Sequence, residues 1–451
     1  MPDLVIRDAR MVLPEGIVRG EVSVVEGRIH EVALTGIPRG EVEIRANGKL
    51  VIPGVVDGHT HFYNRKYVYR ENFRSGSIAA VAGGVTTVAV SLLDDPINTV
   101  TAAKKIILTG ENNSVIDFML HAGGLTPSSI KNVVKLVSLG ITSLKVSNCR
   151  PYPSTYDGIE RLMSLAEKLN SLVVAYPEDA ETLSELRKKL IEEHKTDLLS
   201  YVQGHPPEAE ERGLSKIAEI AHRTGCRVHI APVTTEIGCE KVSKLKSKKY
   251  PLTAETCPHY LIFTVDDLKK LGAELKVTPP IRTHKDLSSL WEAINSGLVD
   301  IVTSGHAPTT KGEKDSGKVY AWGSPSGIPS LETLLPVMLS EGAVKGRISL
   351  EKLVTLLCSK PAQIFGLYPM KGVIRSGSDA DIVIVDTAAE IKVRAEDMHY
   401  AVNWTPYEGM KLRGKPVTTI SRGEVLMEDG VLDCKRAKGR FLGKKSSEPE
   451  A

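Results

Sequence analysis

The first fifty residues alternate apolar and polar positions in short runs: LVIRDARMVL, GEVSVVEGRIHEV and VEIRANGKLV, punctuated by Gly16, Gly20, Gly27 and Gly48. A period of two predicts β-strands and hairpins. From residue 51 the pattern changes. Apolar runs of strand length occur at 51–60, 85–91, 115–121, 141–147, 171–176, 226–231, 251–257 and 299–304. Most are separated by stretches of helical period, such as SSIKNVVKLVSLG, YDGIERLMSLAEKLN and HKDLSSLWEAINSG. A series of eight strand–helix units predicts an α/β fold, a (β/α)8 TIM barrel. An open doubly wound sheet is the alternative, but no glycine-rich dinucleotide loop follows the first strand.

After two helices near 330–345 and 349–366 the period of two returns, in GVIRSGSDADIVIVD and GKPVTTISRGEVLMEDG. β-Rich ends flanking a barrel predict one small β domain built from both termini. The expected divisions are residues 1–52 and 371–434 for that domain and 53–370 for the barrel. Residues 435–451, KRAKGRFLGKKSSEPEA, form a charged tail expected to be solvated or mobile.

Composition narrows the class without naming a chemistry. With 451 residues, 41% apolar and 25% charged, the chain is ordinary globular protein and long enough for two domains or one large barrel. A formal charge of +3 argues against nucleic acid or an anionic membrane as partner. No apolar run reaches the ~18 residues of a membrane span, and MPDLVIRDAR has no signal-peptide core. Six scattered cysteines do not make a disulfide framework, so a cytoplasmic location is the expectation. The lysine-rich run at 241–249 reads as an exposed helix face.

Candidate chemistry gathers where strands of such a barrel end. His59 and His61 close the run VIPGVVDGHTH. Residues i and i+2 of a strand share a face, which sets the two imidazoles ~6.6 Å apart along the strand. Such a pair suits a divalent metal, although a bare His-x-His is equally a structural pair. Lys145 lies in the apolar run GITSLKVSN, where it is costly unless neutralised, paired or carbamylated; a lysine that reaches solvent at its strand end is the plainer reading. His229 lies inside CRVHIAP, and His306 in SGHAP.

PGVVDGHTHF, LKVSNC, CRVHIAPVTTE, AETCPHYL, TPPIR and SGHAP together resemble the signature series of the cyclic amidohydrolases: dihydroorotases, hydantoinases or dihydropyrimidinases, and allantoinases. GSPSGIPSLETLLPVML, SKPAQIFGL and PYEG resemble its later blocks, so the similarity runs over nearly the whole chain. It implies a metal-dependent (β/α)8 barrel, with a β-sandwich domain built from both termini, that hydrolyses a C–N bond of a small cyclic amide or ureide. His59, His61, Lys145 and His229 would be metal ligands, Lys145 as a carbamate, with zinc the leading ion and one or two ions bound. Substrate contacts are implied at Tyr63, Arg65, Arg150 and Pro279, and the resemblance implies a homodimer or homotetramer.

Two positions depart from the pattern. Tyr176 stands where the family has a strand-five histidine, and Gly305 where it has the strand-eight aspartate that binds metal and moves the proton. Asp300 cannot replace that aspartate, having opposite parity and lying ~16 Å back along the strand. His306 is then the first catalytic candidate, with His205, Asp94, Asp95 and Glu178 beside it; sequence alone does not choose among them, and a structural role is the plainer reading of each. Gly305→Asp would be expected to raise turnover. The alternative is a catalytically impaired homologue kept as a scaffold for a partner enzyme.

Overall fold

The structure is a computed structural model that describes residues 1–63, 66–92, 94–126 and 128–443. Eight parallel strands follow one another in sequence order: Val55–Thr60, Val85–Val90, Asp117–Ala122, Ser143–Val146, Leu172–Ala175, Val228–Ile230, Leu252–Thr256 and Ile301–Val302. A parallel bridge between Thr60 and His306 joins the last strand's extension to the first, reinforced by His61 N–H donating to His306 O at 2.7 Å. The expected barrel is the observed one. The long interval between the fifth and sixth strands holds three helices, Ala180–Glu192, Leu198–Gln203 and Pro207–Thr224.

The barrel is filled from within by Ala89, Met119, Leu172, Val174, Ile301, Ile364 and Phe365. Phe365 reaches so far up the axis that a Cβ at residue 58 would collide with its ring, so Gly58, between the two metal-motif histidines and Asp57, has to be glycine. This aromatic floor also touches the rings of His121 and His229, with centroids 5.6 and 5.9 Å away.

Both termini enter one nine-stranded sheet with its own core of Leu4, Ile6, Met11, Val22, Val24, Ile382 and Ile420. The strand Leu50–Pro53 lies in it between Leu4–Leu13 and Ile382–Lys392, and one residue later Val55–Thr60 starts the barrel. A buried ionic knot ties the two bodies together. Lys371 Nζ lies 2.7 Å from Asp117 on the third barrel strand and 3.0 and 2.8 Å from Asp379 and Asp381 at the sheet.

The charged segment expected to be solvated is docked over its described part. Gly439 N–H donates to Ser114 O, Phe118 N–H to Arg440 O, and Leu442 N–H to Phe118 O. The Phe441 ring lies 5.9 Å from that of Phe118. An aromatic residue and a backbone that can extend a strand edge outweigh the basic composition of the segment; residues 444–451 lie outside the described residues. No helix among the described residues is long and apolar enough to cross a membrane. The lysine-rich helix Glu236–Ser247 is pinned by Lys241–Glu211 and Lys246–Asp300 pairs at 2.5 and 2.6 Å, which also holds Asp300 at the far end of its strand from the cavity.

Candidate active site

A cavity of about 1150 Å³ opens at the C-terminal ends of the barrel strands. His59 and His61 lie at its base because the first strand carries both side chains to one face. Each imidazole is oriented from behind: His59 Nδ1 donates to Glu255 Oε1 at 2.5 Å, and His61 Nδ1 to the carbonyl of Ser91 at 2.9 Å. That fixes the tautomers, leaving an Nε2 lone pair on each ring, and the two Nε2 atoms face each other at 3.1 Å. Facing lone pairs repel unless a cation or a proton lies between them. Here Lys145 Nζ donates to His59 Nε2 at 2.8 Å, and burial pushes this amine down to about 8.

The donor set fits one divalent ion with a condition. Among the described residues no three His, Cys, Asp or Glu side chains are arranged to hold a metal. Two imidazole nitrogens and Lys145 converge, so the third donor exists only if the amine is converted to a carbamate or loses its proton. His229 is brought to the same floor, but both its nitrogens are used: Nε2 meets Glu255 Oε2 at 3.0 Å and Nδ1 meets the Thr253 hydroxyl at 2.8 Å. Glu255, fully buried, thus bridges His59 and His229, and the two imidazoles hold its carboxyl well below the usual range. Sequence reasoning missed Glu255, although it lies in AETCPHYL on the seventh strand; periodicity does not say which strand neighbour an acid will face.

The structure separates the remaining candidates. The Tyr176 hydroxyl lines the cavity but donates to Glu178, which also takes His205 Nδ1 at 2.9 Å and Arg282 at 3.3 Å. Glu178 and His205 are therefore a paired unit in the wall. Asp94 lines the cavity 3.9 Å from Arg70, whose guanidinium is bonded to Glu313; Asp95 is not among the lining residues. His306 stands apart from these. Its ring is buried against Tyr400, Nδ1 accepts the backbone N–H of Ser330 at 3.0 Å, and it does not line the cavity. It serves the loop that follows the last strand.

Tyr63 and Arg150 line the cavity as expected, while Arg65 lies outside the described residues. Pro279 does not line it. This residue is buried and its carbonyl accepts from Tyr260, leaving its neighbour Thr278 to face the cavity. Three further lining residues carry buried polar atoms with no partner among the described residues: Ser91 Oγ, Thr309 Oγ1 and His259 Nδ1. Such atoms suit a polar guest.

Gly305 adopts φ +59°, and a Cβ built there would lie 2.9 Å from Cys257 Sγ and 3.3 Å from His259 Cε1. The corner where an aspartate would stand is already occupied by side chains of the seventh strand's end.

Comparison with known proteins agrees with this architecture. The amidohydrolase family matches residues 50–426. The D-hydantoinase of Ralstonia pickettii is 34% identical over 451 residues, covering 98% of each chain. The allantoinase of Rubrobacter xylanophilus is 33% identical over 450 residues, 98% of this chain and 97% of that protein. Among solved structures, L-hydantoinase (dihydropyrimidinase) from Arthrobacter aurescens superposes with a TM-score of 0.95 at 29% identity, covering 98% of this chain and 100% of that one. A barrel of this kind, a His-x-His pair at its mouth and similarity along the full length place the chain in the amidohydrolase family.

Proposed function

We propose that this chain hydrolyses a C–N bond in a cyclic amide or ureide, with hydantoin- and allantoin-type rings, for which close relatives are named, the first substrates to test. The observation that carries the reading is the convergence of His59 Nε2, His61 Nε2 and Lys145 Nζ at the base of a polar cavity. His59, His61 and a carbamylated Lys145 would hold one divalent ion, zinc first; His229 would have to release Glu255 to join them. When bound there, the ion supplies Lewis acidity toward the scissile carbonyl and toward water.

The chain's own residues do the rest. Glu255 and the Ser91 carbonyl keep both imidazoles in the tautomer that presents Nε2. Tyr63 and Arg150 face the guest from the rim, and Ser91 Oγ and Thr309 Oγ1 offer hydrogen bonds now unmet. A dihydroorotate-type carboxylate is less well served, since Tyr63 stands where a clamping arginine would be needed. We further propose a homodimer or homotetramer, which sedimentation across a concentration series would test.

Protein reconstituted with zinc and bicarbonate should hold one ion per chain, carry a carbamate on Lys145 by intact mass, and open at least one of hydantoin, allantoin, dihydrouracil or dihydroorotate. Absence of stoichiometric metal together with no turnover of any ring would refute the reading and favour the scaffold alternative.

A further inference from the structure

Among lining residues, His259 has a place that no role assigned so far explains. It sits in the first turn of the short helix Pro258–Ile262, directly after the seventh barrel strand. Only 3% exposed, its ring lines the cavity, and its buried Nδ1 has no hydrogen-bond partner among the described residues. Buried nitrogens left unpaired are rare enough in folded proteins to need a reason. Position supplies one. His259 Cε1, the atom between the two ring nitrogens, lies 3.3 Å from where a Cβ of residue 305 would be. The nitrogen-bearing edge of the imidazole therefore abuts the point from which the absent aspartate would extend.

We propose that His259 is a catalytic residue taking the part of that aspartate, receiving a proton from the attacking water and delivering it to the ring nitrogen that leaves. This rests on the cyclic-amide reading above. The water oxygen forms the new bond to the carbonyl carbon while its proton passes to His259. The ring C–N bond then breaks, the nitrogen takes the proton from the imidazolium, and His259 ends neutral. The product is an open-chain acid that loses its own proton to solvent; no co-reactant besides water is needed. A neutral imidazole enters such a step as a proton acceptor and, once protonated, leaves it as a donor. Of the other histidines near the cavity, His205 is engaged with Glu178 and His121 with Gly58 O, while His306, whose Nε2 lies 3.6 Å from Glu71 Oε2, does not line it.

The test uses the reconstituted full-length protein and the same four rings. His259→Asn keeps an acceptor near Nδ1 but cannot carry a proton. On any ring the wild type opens, kcat should fall ~10²–10⁴-fold with KM nearly constant and metal content unchanged. Addition of free imidazole to His259→Ala should restore part of the loss, which a merely structural histidine would not allow. A variant with kcat equal to wild type overturns the proposal. A second readout needs neither turnover nor a variant: in protein labelled with ¹⁵N-histidine, the His259 Nδ1 resonance should move when a ring is added. An unmoved resonance with all four rings overturns the proposal, whether or not they are hydrolysed. A shift without any turnover defeats the hydrolase reading and the proton transfer, and keeps His259 only as a ring contact.

Discussion

Gly305 shows at the scale of one residue why restoring a missing group is not the same as restoring its function. Aspartate there would have to adopt φ +59° with its Cβ 2.9 Å from Cys257 Sγ. Strain of that kind costs ~1–3 kcal/mol, so Gly305→Asp should lower stability in chemical denaturation and leave turnover no higher. Pairing it with Cys257→Ala should recover part of the stability. Glu255 offers the opposite case, a residue whose removal acts through its neighbours. Glu255→Gln would weaken the grip on His59 and His229 together, and loss of such an outer partner typically costs ~10–100-fold in metal affinity, measurable by chelator competition. The His-x-His pair and Lys145 were legible because strand parity and an out-of-place charge are local properties. Glu255 and His259 were not, though both stand in one quoted motif, because their meaning lies in side chains that meet across the barrel. The surroundings of His306 were hidden for the same cause: its ring packs on Tyr400, far along the chain, and does not line the cavity.

Among the elements, the helix Ala180–Glu192 illustrates how a wall of the cavity is anchored. Its N-cap Asp179 is fully buried, accepts from Thr182 N–H, the Tyr156 hydroxyl and Lys216 at 2.9 Å, and is pulled down to about 2. A carboxyl whose folded value lies below its ordinary 3.8 adds stability above that ordinary value and loses it as pH falls toward 2. The contribution at neutral pH is about 2 kcal/mol. Denaturation midpoints measured from pH 5 to pH 2 should therefore fall in the wild type, and Asp179→Asn should start lower and fall less. Strands and helices were readable from periodicity along almost all of the chain, since a buried strand and an amphipathic helix leave different spacings. The docking of residues 437–442 was not, because composition counts the lysines and arginines and misses one phenylalanine that finds Phe118.

For the molecule as a whole, the Lys371 knot decides whether barrel and sheet behave as one body. Lys371 is 2% exposed and shared among three carboxylates that raise it above the ordinary lysine value. Lys371→Met would leave Asp381 buried without its cation and Asp117 with Arg422 alone, and breaking such a cluster costs ~3–5 kcal/mol; a large drop in thermal midpoint, or separate transitions for the two bodies in calorimetry, is the expected result. Domain composition from both ends was suggested by the return of the two-residue period, whereas the knot was invisible, its members being scattered from residue 117 to 381.

The last described residues also set a timetable. Leu50 waits for Val385 as its strand partner, and the edge at Phe118 waits for Leu442. A chain folded only as far as residue 436 has every barrel strand in place yet leaves that edge uncovered. Docking of residues 439–442, rather than completion of any single barrel strand, is the event that covers it and ends the offer of an open edge to neighbouring chains.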